Sequence, residues 1–180
     1  MFRAANEDPS ASLGDVWTLM LDTKELYDAE KNRCKATFES VKWVSPTMAD
    51  VSLECPACES SLIEQKNPRN TDQEEVVGKC NNCKEEISYQ DLIVFKIDQK
   101  LGFDTYINIT DGGESGPIHE CPDCNNASFL DFEEQCAVCG AEYSRVSCSL
   151  CDEVMDWDWI FYGDSSDLCS YHSHTMSKDD

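Results

Sequence analysis

Ten of the twelve cysteines in this 180-residue chain stand in five Cys-x-x-Cys pairs: Cys55/Cys58, Cys80/Cys83, Cys121/Cys124, Cys136/Cys139 and Cys148/Cys151. Thiols at that spacing can cross-link, cycle as a redox pair, or deprotonate and hold a metal. Two intervening residues make a tight turn that aims both sulfurs at one point, about 2.3 Å from a shared tetrahedral zinc, while backbone N–H groups of the turn steady the thiolates. Disulfide scaffolds belong to secreted chains, and the stretch Met1–Ser10 has no apolar run of the kind a signal peptide needs. We therefore expect a cytoplasmic, reducing location, where paired cysteines are read first as metal ligands.

The simplest grouping joins neighbouring pairs. Cys55, Cys58, Cys80 and Cys83 enclose 21 residues and Cys121, Cys124, Cys136 and Cys139 enclose 11, lengths suited to a β-hairpin bridging two ligand turns. The fifth pair needs partners, and Cys169 with His172 repeats the two-residue spacing 17 residues beyond Cys151. A site of Cys148, Cys151, Cys169 and His172 completes a set of about three zinc ions, with His174 as the rival fourth ligand. A crosswise wiring would instead place Cys121, Cys124, Cys148 and Cys151 on one ion and Cys136, Cys139, Cys169 and His172 on another. Eight residues separate Cys139 from Cys148, more than the close spacing such wiring uses. Cys34 is left over and reads as a small buried hydrophobe.

The segments Cys55-Pro56-Ala57-Cys58, Lys79-Cys80-Asn81-Asn82-Cys83, Cys121-Pro122-Asp123-Cys124 and Cys136-Ala137-Val138-Cys139-Gly140 resemble the ligand turns, or knuckles, of zinc-ribbon (rubredoxin-like) modules. The likeness covers about 54–87 and 119–173. It implies small β-hairpin modules built on zinc and leaves function open, because such ribbons occur in transcription factors, ribosomal proteins, enzymes and adaptors. In the common pattern glycine often follows the second cysteine. Here only Gly140 does so, and Glu59, Lys84, Asn125 and Asp152 occupy the other places.

The expected fold class is α+β: small zinc-stabilised modules, with a long N-terminal helix followed by zinc ribbons made of short β-hairpins. Residues 1–11 read as a flexible tail. Leu13, Met20, Tyr27, Cys34 and Val41 recur every seven residues, predicting an amphipathic helix over about 13–44, capped by Ser12 with Asp15 and stopped at Ser45-Pro46, within a segment 12–53 that includes its connector. Residues 54–110 form the first ribbon and a following helix over about 89–101, with Ser88 and Asp91 as its cap and Leu101-Gly102 as its end. The turn-rich run 111–117 separates this from tandem acidic modules at 117–180, a ribbon at 119–145 and a three-cysteine, one-histidine module at 146–174. Within the last, Met155–Tyr162 reads as a strand with Trp157, Trp159 and Phe161 on one face, either a small core or an acidic-aromatic recognition edge.

The formal net charge is −22, and residues 101–180 hold 2 basic against 17 acidic groups. Two four-thiolate zinc sites and one three-thiolate site would deepen the total to roughly −27. Such a field argues against direct nucleic-acid binding and for a protein partner with a basic surface. Mixed signs along the first helix give it a solvated face rather than a nucleic-acid patch, and its apolar stripe would pack on the zinc modules or on a second copy. Four protein ligands leave no coordination position for water, and the three histidines form no His-Glu-x-x-His motif, so we expect no enzyme. No run of about 18 apolar residues predicts a membrane span. The leading expectation is a non-catalytic zinc-binding adaptor or regulatory protein that binds through acidic and aromatic surfaces. The alternatives are an acidic nucleic-acid mimic that inhibits a DNA- or RNA-handling enzyme, a nucleic-acid-binding ribbon, and a RING-like ligase component.

Overall fold

The fold is that of a computed structural model, which describes residues 13–49, 52–112, 116–164 and 167–176, with side chains from 23 onward. The expected tail at 1–11, the Ser12 cap and the side chains of Leu13 and Met20 lie outside the described residues. Helix α1 spans Leu13–Ala36 and leads into a connector with a 3-10 turn at Pro46–Met48. Strands β1 (Ile63–Gln65), β2 (Val77–Cys80) and β3 (Glu86–Ser88) form one antiparallel sheet in that order. Helix α2 (Tyr89–Thr110) follows directly. Strands β4 (Ile118–Glu120), β5 (Ala127–Leu130) and β6 (Gln135–Cys136) then make a second antiparallel sheet, and helices α3 (Trp157–Tyr162) and α4 (Ser170–Met176) complete the chain.

Three element limits differ from the sequence reading. Helix α1 stops at Ala36, not near 44. The Thr37 hydroxyl donates to the Cys34 carbonyl (2.6 Å) and accepts the Gln65 N–H (2.8 Å), so pairing with β1 turns the chain. Phe38 and Val41 are buried beyond the helix end, whereas Tyr27 within it is 44% exposed and Leu26 72%, so the described part of the helix does not bury its seven-residue ladder continuously. Arg33 joins α1 to the first sheet, contacting Glu30 (2.8 Å) and Glu64 (2.6 Å), which matches the mixed-sign face expected there. Helix α2 starts where Ser88 and Asp91 predict, with the Ser88 hydroxyl accepting the Asp91 N–H at 3.2 Å. It runs through Gly102 to Thr110, and Gly112, at φ +81°, takes the left-handed position after the end that Gly102 was expected to take.

The third difference is at 157–162, which form a helix, not a strand. Asp156 sits at its N-cap and Asp158 in its first turn, where carboxylates favour a helix. Trp157, Ile160 and Phe161 share the i, i+3, i+4 face turned to the core. The alternating aromatics imitate a strand, and packing selects the helical period.

One buried cluster runs through Phe38, Met48, Ile63, Leu92, Ile97, Phe129, Val138 and Trp157, so both sheets share a core with α2 between them. Gly78 lets α2 approach the first sheet: a Cβ there would stand 3.0 Å from Leu92 and 3.1 Å from Ile63. The buried Gln73 side chain ties three segments together. Its Oε1 accepts from Val44 N–H (2.9 Å), and its Nε2 donates to the carbonyls of Ala137 (3.2 Å) and Val138 (2.9 Å). Trp157 closes the far end against Phe129 (4.7 Å between ring centres) and beneath Arg145 (5.2 Å). Replacing Trp157 with Ala should cost about 3–5 kcal/mol in urea unfolding of the zinc-loaded chain, the loss typical of deleting a fully buried Trp.

Candidate metal centres

Five turns built on the same bonds present the cysteine pairs. In each, the N–H of the first cysteine donates to the carbonyl five residues on: Cys55 to Ser60, Cys80 to Glu85, Cys121 to Asn126, Cys136 to Ala141 and Cys148 to Glu153, at 2.8–3.0 Å. The N–H of the residue after the second cysteine returns a bond to the first cysteine's carbonyl at 2.7–2.9 Å. That return bond needs a left-handed backbone. Glu59, Lys84, Asn125 and Asp152 adopt φ of 55–70° and Gly140 adopts 77°, so all five turns close although only one has glycine. A non-glycine residue in this region costs about 1–2 kcal/mol, a strain borne four times at the ligand turns.

The turns pair as sequential neighbours. Cys55, Cys58, Cys80 and Cys83 form one group, Cys121, Cys124, Cys136 and Cys139 a second, and Cys148, Cys151, Cys169 and His172 a third, with all ligand atoms of a group within 4.8 Å of one another. The crosswise wiring is therefore not the arrangement of this fold, and His172, not His174, completes the third group. In the first two groups the first pair flanks one strand of a hairpin and the second pair leaves the next strand. In the third, a turn bridged by Ser147 and Val154 faces Cys169 and His172 at the start of α4.

Sulfurs on a common tetrahedral zinc, each about 2.3 Å from the metal, lie about 3.8 Å apart. Here Cys55–Cys83 is 3.6 Å, Cys58–Cys80, Cys121–Cys139 and Cys124–Cys136 are 3.7 Å, and Cys151–Cys169 is 3.9 Å. The His172 Nδ1 stands 3.4 Å from Cys148 Sγ and 3.2 Å from Cys169 Sγ, a little inside the sulfur–sulfur edge, as the shorter zinc–nitrogen bond requires. All twelve cysteines are free thiols. The donor sets thus fit about three zinc ions, each of which would cross-link two distant turns and leave no protein-free coordination position.

The protonation pattern within a group points the same way. The Asn82 side chain pulls the Cys58 thiol down to about 6, while burial pushes Cys55 up to about 12. Burial likewise raises Cys121 and Cys139, and a backbone N–H of Cys169 pulls Cys148 down to about 6. Each group combines thiols that ionise readily with thiols that resist, and only a bound cation makes four anionic sulfurs compatible in one place. Binding therefore releases protons.

The remaining candidates lie elsewhere. Cys34 is fully buried, as expected, with Asn81 Nδ2 3.6 Å from its sulfur, and burial raises its pKa. His119 is not a ligand; it is buried between Phe129 and Trp157, with Nδ1 3.6 Å from Asp158. The aromatic segment divides its side chains: Trp157 and Phe161 pack on Phe129 of the second ribbon, and Trp159 donates to the Leu168 carbonyl (2.7 Å) beside the third group. Among the described residues no helix is long and apolar enough to cross a membrane. No family model, no curated protein and no solved structure matches the chain. The geometry of the three groups shows clusters that could hold metal ions, the first two on small antiparallel sheets as in zinc-ribbon-like modules.

Native mass spectrometry of the zinc-loaded chain should count three ions. His172→Ala should reduce the count to two and His174→Ala should leave it at three, and equal loss from both variants would overturn the third ligand set.

Proposed function

We propose that the protein is a non-catalytic, zinc-stabilised adaptor that binds another protein carrying a basic surface. The observation that carries this reading is that each candidate metal group has four protein ligands. A catalytic zinc keeps a position for water, whereas a closed set serves to build shape. The charge supports the choice of partner. A chain at −22, with 17 acidic and 2 basic groups after residue 100, attracts cationic surfaces and repels phosphate backbones. Exposed apolar side chains, among them Leu150, Tyr162 and Tyr171 in the acidic C-terminal region, offer anchors beside the carboxylates.

Sequential pairing removes the crosswise wiring on which a ligase reading rested. Asp156 and Asp158 lie at the start of a helix, not along a strand that would space carboxylates like backbone phosphates, so this segment does not support nucleic-acid mimicry.

Affinity capture from the source cell with the zinc-loaded chain, at about 0.15 M salt, should retain a protein with a basic surface. Raising the salt towards about 1 M should release it, because the Debye length then shrinks to about 3 Å. A nucleic-acid probe retained by the purified chain at about 0.15 M salt would contradict the reading.

A further inference from the structure

Helix α2 presents two faces to its surroundings. Leu92, Ile93 and Ile97 on one side are buried in the shared core. The opposite side is mixed, not a full apolar stripe: Phe95, Gly102 and Ile109 stand seven residues apart with the polar Asp98 and Thr105 between them, and all five line an open groove of about 890 Å³. Pro56 and Ile87 of the first ribbon form one wall, and Ile118 and Ala127 of the second form the other. Tyr106 and Ile109, near the C-terminal end of the helix, are 64% and 62% exposed.

Three features of the groove identify its occupant. First, Phe95, Gly102 and Ile109 lie along one line of α2, so an elongated element running beside the helix, such as a second helix, can touch all three. Second, Gly102 lies in the helix interior, where glycine costs about 0.8–1 kcal/mol relative to alanine. A Cβ at Gly102 would meet only the Asp98 side chain, 2.5 Å from its Oδ1, so no fixed part of the fold requires a bare backbone there. A small residue without an internal reason, on the floor of a groove, lets a second backbone come close. Third, the lining includes the carboxylates of Glu85, Glu86, Asp91 and Asp98 and no lysine or arginine. Glu86 is engaged by Lys66 at 2.8 Å and Asp91 by the Ser88 hydroxyl at 2.6 Å. A second copy of this chain, itself at −22, would bring like charge to an acidic rim.

We propose that this groove is the docking site for an amphipathic helix of a partner protein, with an apolar seam against Phe95, Gly102 and Ile109 and flanking Lys or Arg residues against the acidic rim. The proposal rests on the adaptor reading and gives that reading a surface. The two ribbons form its walls, and each zinc group shapes one of them: Pro56 and Ala57 lie within the Cys55 ligand turn, and Asn126 closes the Cys121 turn.

The test uses the zinc-loaded full chain and a fluorescent helical peptide of about 18 residues, Leu on one face and Lys on the other, with a Leu/Glu peptide of the same pattern as control. We expect saturable, one-to-one binding of the Leu/Lys peptide and none of the Leu/Glu peptide. Gly102→Leu, which fills the floor with a better helix former, and Asp98→Lys should each weaken binding about tenfold or more, as loss of a central contact does. Glu25→Lys on α1, the same charge change outside the groove, should alter it less than about twofold at moderate salt. Melting and zinc counts of the variants establish that they are folded. Unchanged affinity in Gly102→Leu overturns the groove. So does the absence of saturable binding, or a wild-type dimer that Gly102→Leu converts to monomer, since the occupant would then be a second copy. If Glu25→Lys weakens binding as much as Asp98→Lys, the groove fails while an acidic adaptor stands; if in addition no salt-releasable protein is captured, the adaptor reading falls with it.

Discussion

The structure depends on twelve ligand atoms being brought within bonding reach of about three divalent ions. The three sheet strands of each ribbon are two to four residues long, too short to hold together by ladder hydrogen bonds alone. A zinc ion between two ligand turns closes each hairpin at its open end, with binding free energy that is folding free energy. It also neutralises part of the charge that four thiolates concentrate in one place. The cost in backbone strain at Glu59, Lys84, Asn125 and Asp152 is consistent with that role, because the turn conformation is imposed by the ligand geometry.

Metal alone does not arrange the ribbons relative to one another. That task falls to α2, whose inner stripe enters the shared core, and to the connector after α1, whose backbone and side chains reach both modules. Gln73 bonds Val44 on one side and the Ala137–Val138 turn on the other, inside the second ligand set. Thr47 bonds Glu133 through both its N–H (3.0 Å) and its hydroxyl (2.6 Å). The third group is held differently, by α3: Trp157 and Phe161 face the second ribbon while Trp159 turns to the third group's small cluster. A six-residue helix thereby couples two metal sites through opposite faces.

The ligand sets were legible in the sequence because two-residue spacing lets both thiols of a tight turn reach one metal, and joining neighbouring pairs reproduces the observed groups. The start of α2 was legible for the same kind of reason, since Ser88 and Asp91 satisfy specific orphan N–H groups. What could not be read were the places where tertiary packing outweighs a local signal. Gly102 carries the local mark of a helix end, yet α2 continues past it because the contacts on either side are made with the helix intact. The alternation in Met155–Tyr162 carries the mark of a strand, but Asp156 and Asp158 place negative charge at a helix start and the core takes Trp157 and Phe161 from one side of it. The end of α1 is decided by Gln65, 28 residues beyond its partner Thr37. Left-handed turns at charged residues were unreadable too, because nothing in Glu59 or Lys84 declares a positive φ.

The central claim is that bound metal, not apolar burial alone, gives the ribbon regions their shape. The most direct test is to strip the zinc-loaded chain with a chelator under reducing conditions and follow its amide hydrogen exchange or its near-ultraviolet circular dichroism. We predict that the ribbon strands lose protection on stripping and regain it when zinc is restored. Ribbons that stay protected and metal-free, with their thiols reduced or joined to one another, would contradict the account.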